Sequence, residues 1–397
     1  IVSALAASYA LDGSSSGTGE TCSREVFVPL MSFPRNEFRL RGDARVAFES
    51  AGFVADAEGA PDCLLFWDEA APILAELRAS SRQFGVVLTD HNMMGKSLRL
   101  IFEGRVRGIV DHHKDEGAYA DLPPGRRRVE EGVGSACTLA AEMLLERGEE
   151  LPQDLGRLLA STVLIDVRNF DMKEKRFSPK DEAIFPQLER FLPTSPTDAD
   201  SSRAWWFRKL MDARYDSSGL SCADLLKLDY KEVEVQGRRV GFASIIMELP
   251  EFAGRADGRA ALALQLRGFS EAKGLHLLLA MTKKSKILPS PTDKQPKALV
   301  LLDPSQAEGL GDRVLSFLQK APAGLSPELV GGPLFKDQGI DMEGFGLHEA
   351  EETLLAGAGL GSQGGGSELR ICFLRSSITR KTMLPAVLEM LQAQAAL

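Results

Sequence analysis

The 397-residue chain carries 56 acidic against 47 basic side chains, a net charge of −9, and 44% of it is apolar. That length holds about two domains at ~150 residues each, with apolar content enough for sizeable cores, and the acidic balance excludes a general nucleic-acid binder, which needs a basic face. Five scattered cysteines (Cys22, Cys63, Cys137, Cys222, Cys372) without CxxC spacing read as reduced thiols of a cytoplasmic protein, and no apolar run approaches the ~20 residues of a membrane span.

The first residues, Ile1 to Leu11, read as a buried helix entered midway. They lack an initiator Met and the basic flank of a signal peptide, so an incomplete start is expected. A Gly/Ser-rich loop follows over Leu11–Cys22. Then come a strand at Val26–Leu30, a helix at Arg41–Ala51, a strand at Cys63–Phe66 and a helix at Ala70–Ala79, with further strands at Gly85–Thr89 and Arg107–Val110. Strands and helices alternating at this pitch predict an α/β domain built on a parallel sheet. Gly134-Ser135 opens a helix over Thr138–Leu145; such an entry leaves backbone N–H groups free for a phosphate, or is an ordinary serine cap. Leu155–Leu164 has helical spacing and runs into Asp166, a further acid expected at the same sheet edge. The polar, Pro-containing stretch 193–203 predicts a linker between domains at 1–192 and 204–397. Beyond it, Ala204–Ala213 carries two of the three tryptophans and reads as a helix. The second half then turns to strands at Val233–Val235, Arg239–Ile246, Leu275–Met281, Ala298–Leu302 and Leu369–Phe373, with loops at Pro289–Pro296 and Ala356–Ser367. A last helix over Thr382–Leu391 is expected to begin near Pro385. No internal repeat is visible.

Three of the five histidines follow strand-like runs that end in aspartate: Val86-Val87-Leu88-Thr89-Asp90-His91-Asn92 and Gly108-Ile109-Val110-Asp111-His112-His113. A buried parallel strand delivers the side chains at its carboxyl end to one edge of the sheet. Imidazole and carboxylate there are ligands for Mn²⁺, Mg²⁺ or Zn²⁺. One Asp-His pair alone is a polar strand end; two in one domain predict a metal site.

The ordered set Asp90-His91-Asn92, Asp111-His112-His113, Gly134-Ser135 and Asp166 resembles the DHH phosphoesterase superfamily. Within it the chain is similar to the branch of family II inorganic pyrophosphatases, exopolyphosphatases and prune proteins. Asp229-Tyr230-Lys231-Glu232 and Thr379-Arg380-Lys381 before Leu384-Pro385 resemble the smaller α/β DHHA2 domain that follows the parallel-sheet DHH domain there. The resemblance implies an active site in an interdomain cleft holding two divalent ions (Mn²⁺, Mg²⁺ or Co²⁺). It makes Asp90, His112 and Asp166 metal ligands, counts Asp90, His112 and His113 as catalytic, and gives His113, Ser135, Lys231, Arg380 and Lys381 to substrate phosphates. It implies hydrolysis of polyphosphate or pyrophosphate, with no nucleic-acid or membrane partner. Two departures stand out. The family's first motif, Asp-x-Asp-Ser, directly precedes a helix like the one at Ile1, which is why the start is read as incomplete. Thr382 stands where pyrophosphatases carry a second lysine, which favours Arg380 over Lys381. A prune-like interaction protein with weak or lost hydrolysis is the alternative reading. A single-strand exonuclease is disfavoured by the acidic charge and by the lack of aromatic residues interleaved with a basic groove.

Overall fold

Two apolar runs that end in polar chemistry sit side by side as parallel strands, as their composition predicts. In the computed structural model β3 (Val86–Thr89), β4 (Val106–Asp111) and β5 (Arg127–Val129) form a parallel sheet in that order, with Thr89 opposite Val110 and Asp111 opposite Val129. The structure describes residues 1–12, 26–57, 59–80, 82–123, 125–148, 150–197, 200–284, 297–304, 309–320, 348–349, 369–374 and 378–393. The expected loops at 289–296 and 356–367, and most of that at 11–22, lie outside the described residues. The chain divides into two units, Ile1–Asp216 and Ser217–Leu397.

In the first unit β1 (Leu30–Met31) and β2 (Leu65–Phe66) make a second, short parallel pair. The strand expected over Val26–Leu30 is thus confined to its last residue and the next: Val26 and Val28 are 71% and 59% exposed, so their β-branched side chains find no face to cover. Helix α3 (Trp67–Ala79) follows β2 and α4 (Lys96–Phe102) joins β3 to β4; both pack apolar residues on the three-stranded sheet, Ala70 and Leu74 from α3 and Phe102 from α4. The larger core gathers α1 (Val2–Asp12), α2 (Gly42–Ser50), α5 (Ala136–Leu145), α6 (Gln153–Asp166) and α8 (Ser202–Tyr215). Small residues set the spacing here: Ala6 of α1 and Ala140 and Ala141 of α5 are fully buried, which lets the helices approach closely. Helix α7 (Pro179–Glu189) starts on a capping box in which Ser178 and Asp181 satisfy one another's backbone N–H groups.

By its contacts, helix α8, which follows the expected linker at 193–203, packs with the first unit. Trp206 is 1% exposed and donates its indole N–H to Ser161 of α6 at 2.9 Å, while Arg214 pairs with Asp43 of α2 at 3.3 Å. Gly42 is pressed so closely on α8 that a Cβ there would lie 2.0 Å from the Ala213 carbonyl oxygen. The two compact units meet in sequence at Asp216/Ser217.

The second unit is a six-stranded mixed sheet in the order β10-β11-β9-β8-β7-β6, made of β6 (Tyr230–Val235), β7 (Arg238–Ser244), β8 (Leu277–Lys284), β9 (Lys297–Leu302), β10 (His348–Glu349) and β11 (Leu369–Leu374). Among the described residues of this sheet only β7 and β8 run parallel, and the chain returns between them through α10 (Leu249–Gly254) and α11 (Arg259–Ala272). Alternation along the strands sends Leu278, Ala280, Val300 and Ile371 to the face covered by α9 (Cys222–Leu228), α10 and α11. The same alternation sends Leu277, Leu279, Leu299 and Cys372 to the face covered by α12 (Leu310–Lys320) and α13 (Arg380–Ala393). Both faces are dry, so the strands read as continuous apolar runs. Helix α13 begins five residues before the expected start at Pro385. Proline forfeits one backbone bond there, and buried Met383, Ala386 and Val387 carry the helix through it. No helix among the described residues is long and apolar enough to cross a membrane.

Candidate metal centre

At the carboxyl edge of the parallel sheet the ends of β3 and β4 bring Asp90, His112 and His113 together. Asp90 leaves β3 with its backbone N–H on the Val110 carbonyl at 3.0 Å, then turns through a left-handed conformation at φ 64°. That conformation costs a non-glycine residue about 1–2 kcal/mol, and aspartate is among the few side chains that adopt it readily. From β4 come Asp111, His112 and His113. Among the described residues, Asp90, His112 and His113 form a group whose ligand atoms lie within 4.8 Å of one another. His91 braces the turn instead, its Nδ1 donating to the Thr89 carbonyl at 2.9 Å.

Asp111 is fully buried and organises this edge. Its Oδ1 accepts from the backbone N–H groups of His112 (2.8 Å) and His113 (3.2 Å) and from His113 Nδ1 (2.8 Å). Its Oδ2 accepts from Asn92 Nδ2 at 2.6 Å. Burial pushes the Asp111 carboxyl up, but the bonds from His113 and Asn92 outweigh it and hold the group below the usual aspartate range.

These bonds fix both imidazoles. His112 Nδ1 donates to the Val133 carbonyl at 2.7 Å, which turns Nε2 toward Asp90 Oδ1 at 3.2 Å. A histidine whose Nδ1–H is held by a carbonyl presents the Nε2 lone pair to a metal. Burial lowers the His112 pKa, yet the Asp90 carboxylate and the Val133 carbonyl outweigh it and bring it to about 9. His113 spends Nδ1 on Asp111 and is 58% exposed, which leaves its Nε2 for a ligand.

Asp166 is the last residue of α6, the helix that the spacing of Leu155–Leu164 predicts, and its charge acts on both Asp90 and His112. Burial first, and then the nearby Asp90 carboxylate, raise its pKa; the Ser135 hydroxyl, donating at 2.6 Å, works the other way. The chain leaves Asp166 through three successive left-handed residues, Arg168, Asn169 and Phe170, at φ 52°, 53° and 59°. Phe170 anchors that turn against Phe177 and Phe185, with ring centroids 5.2 and 5.1 Å apart. Ser135 is fully buried, and its hydroxyl is committed to Asp166 and to capping α5 through the Cys137 N–H. With no exposed surface, that hydroxyl is turned to Asp166.

Two mutually repelling carboxylates beside an imidazole nitrogen already oriented by its other side are a fitting donor set for a divalent cation, which would relieve the repulsion. Sequence reasoning quoted Asp111 and Asn92 within their motifs but gave neither a task, and it did not single out the Val133 carbonyl or Asp181; for Asp181 the available signal is the Ser178-Pro179-Lys180-Asp181 capping-box spacing.

In the second unit Lys231 lies within edge strand β6 rather than before it, and is exposed. Arg380, the first residue of α13, donates Nη1 to the carbonyl of Asp229 at 3.0 Å and pairs with its carboxylate. Asp229 is two residues before Lys231, so Arg380 and Lys231 lie at the same end of β6. Lys381 belongs to the first turn of α13, and its side chain lies outside the described residues.

Residues 208–390 match the DHHA2 domain. The chain is 31% identical over 282 residues to "Exopolyphosphatase PRUNE1" of Homo sapiens, covering 71% of this chain and 56% of that one. It is 26% identical over 317 residues to a "Putative exopolyphosphatase" of Schizosaccharomyces pombe, covering 77% of this chain and 74% of that one. A solved structure titled a putative family II inorganic pyrophosphatase from Methanococcus jannaschii aligns with a TM-score of 0.42 at 15% identity, over 72% of this chain and 90% of that one. The chain thus spans a little over half the length of its PRUNE1 relatives. With a DHHA2 domain in its second half and the Asp-His-His edge in its first, the chain belongs to the DHH–DHHA2 branch of the DHH phosphoesterase superfamily.

Proposed function

We propose that this protein is a divalent-metal-dependent phosphoanhydride hydrolase of the exopolyphosphatase or pyrophosphatase type. The single observation that carries the reading is that the ligand atoms of Asp90, His112 and His113 lie within 4.8 Å of one another, with the buried Asp166 carboxylate near enough to act electrostatically on Asp90 and His112. Asp90, His112 and Asp166 would hold two divalent ions, with Mn²⁺, Mg²⁺ or Co²⁺ as candidates. Bound there, such ions supply Lewis-acid stabilisation of phosphoryl oxygens and make water nucleophilic at neutral pH.

The chain's own groups have defined tasks in this reading. His113, held through Nδ1 by ionised Asp111, keeps Nε2 pointed outward and binds a phosphoryl oxygen. Asp111 fixes the tautomer and orientation of that ring without touching substrate. Lys231, Arg380 and Lys381 neutralise the remaining phosphate charge. Arg380 is suited to this because Asp229 engages Nη1 alone, leaving its other N–H groups to fork onto an oxyanion. PRUNE1 and the fission-yeast relative carry exopolyphosphatase in their names, which favours linear phosphoanhydrides as substrates.

The test is orthophosphate release from pyrophosphate and from longer polyphosphate, with Mn²⁺ or Mg²⁺ and with a chelator. The reading expects metal-dependent release that Asp90→Ala abolishes. Release unaffected by the chelator or by Asp90→Ala would overturn it.

A further inference from the structure

His112 and Asp166 come from different elements, yet one three-residue segment touches both. The Val133 carbonyl accepts from His112 Nδ1 at 2.7 Å, and the Ser135 hydroxyl donates to Asp166 Oδ2 at 2.6 Å. The residue between them, Gly134, donates its backbone N–H to Asp181 Oδ2 at 2.8 Å. We propose that Asp181 is a positioning residue for the cation site, fixing Val133–Ser135 so that this segment presents His112 and Asp166 together. The inference rests on the metal-site reading above.

Asp181 is fully buried, and its carboxylate is saturated by donors from three places. Oδ2 also accepts from the Ser178 N–H and hydroxyl, each at 2.7 Å, and Oδ1 accepts from Thr138 Oγ1 at 2.6 Å. One carboxylate thereby joins the start of α7, the loop before α5 and the first turn of α5. The segment has no slack on its other side. A Cβ on Gly134 would lie 2.5 Å from the Arg176 carbonyl oxygen, 2.7 Å from a Val167 methyl and 3.1 Å from Asp181 Oδ2. Val167 directly follows Asp166, so the glycine lets the segment lie flat against the backbone it must orient. A capping-box carboxylate has a simpler use in starting a helix, for which Ser178 alone would suffice. The bonds to Gly134 and Thr138, 47 and 43 residues away, are what that use leaves unexplained.

The two roles separate by experiment. Mn²⁺ affinity of the full chain is measured by calorimetry without substrate, beside thermal melting, for wild type, Asp181→Ala, Asp181→Asn, Ser135→Ala and Asp166→Ala. Losing a group that orients a metal ligand weakens metal binding about 10–100-fold, and that loss is expected for Asp181→Ala and Ser135→Ala at temperatures where both are folded. Asp181→Asn should stay near wild type: its oxygen can take the Gly134 N–H while its NH₂ donates to a rotated Thr138 hydroxyl. If Asp166→Ala weakened Mn²⁺ binding but Asp181→Ala and Ser135→Ala lowered only the melting temperature, the positioning role would be refuted while the metal site stood. If Asp166→Ala itself bound Mn²⁺ like wild type, the metal-site reading would fail first. Should Asp181→Ala not fold, Ser135→Ala decides, because it cuts the last link to Asp166 without touching Asp181.

Discussion

Replacing Asp111 by alanine is the sharpest probe of how the histidine edge is held. Four donors end on this fully buried carboxylate: two backbone N–H groups, an imidazole N–H and the Asn92 amide, at 2.6 to 3.2 Å. Bonds to a charged group contribute about 1.5–3 kcal/mol each, but they are not additive, and Asn92 keeps its bond to the Lys114 carbonyl. Breaking such a buried charged hub costs about 3–5 kcal/mol. In a unit of 216 residues, each kcal/mol moves the melting temperature by about 2–4 °C. The first unit of Asp111→Ala should therefore melt roughly 6–20 °C lower at pH 7. The deficit should shrink in acid. The folded pKa lies below the unfolded value, so the carboxylate's contribution is full above about pH 4 and is lost as pH falls through the folded pKa. Circular dichroism melts from pH 3 to pH 7 measure this. A loss under about 1 kcal/mol at pH 7 would refute the hub, since that is what an ordinary surface substitution costs.

Other outcomes follow from the same geometry. His112 has its folded pKa raised to about 9, so its protonated form stabilises the metal-free protein fully below the unfolded value near 6.5, and that contribution is lost as pH rises through about 9. Binding Mn²⁺ must expel this proton, so affinity should rise with pH up to about 9, and calorimetry in buffers of different ionisation enthalpy should count about one proton released at pH 7.5. Arg380→Ala should raise KM for a polyphosphate substrate with kcat nearly unchanged, whereas unchanged constants would leave Arg380 as no more than a partner of Asp229. Gly42→Ala should cost about 1–3 kcal/mol despite alanine's better helix propensity, because its Cβ has no room against Ala213; a neutral result would contradict the docking of α8 on α2.

What the sequence revealed and what it hid have physical reasons. The strands ending at Asp90 and Asp111 were legible because a buried parallel strand is a continuous apolar run and polar residues mark its carboxyl end. Strands β7, β8, β9 and β11 were legible because helices cover both faces of their sheet, which makes each an apolar run. Helix α8 was recognised, but its allegiance was not: the burial of Trp206 and the close fit of Gly42 are tertiary facts beside a polar, Pro-containing stretch that looks like a linker. Asp166 was legible as an acid at the end of a helically spaced apolar run, and it does end α6; that spacing alone does not say which groups of the sheet edge it faces. Ser135 looked like a phosphate cap because helix-entry chemistry is local, whereas its bond to Asp166 joins positions 31 residues apart. Asp181 was invisible as a site residue for the same reason, its bond to Gly134 spanning 47 residues.

The central claim is that Asp90, His112 and Asp166 build a divalent-metal centre. Its most direct test is a crystal soaked in Mn²⁺ and measured for anomalous scattering. The account predicts a peak at coordination distance, about 2.0–2.3 Å, from His112 Nε2 and an Asp90 oxygen, with Asp166 in the same shell and the peak lost in Asp90→Ala. A soaked crystal with no peak between these three side chains, or one whose peak lies elsewhere and survives Asp90→Ala, would contradict it.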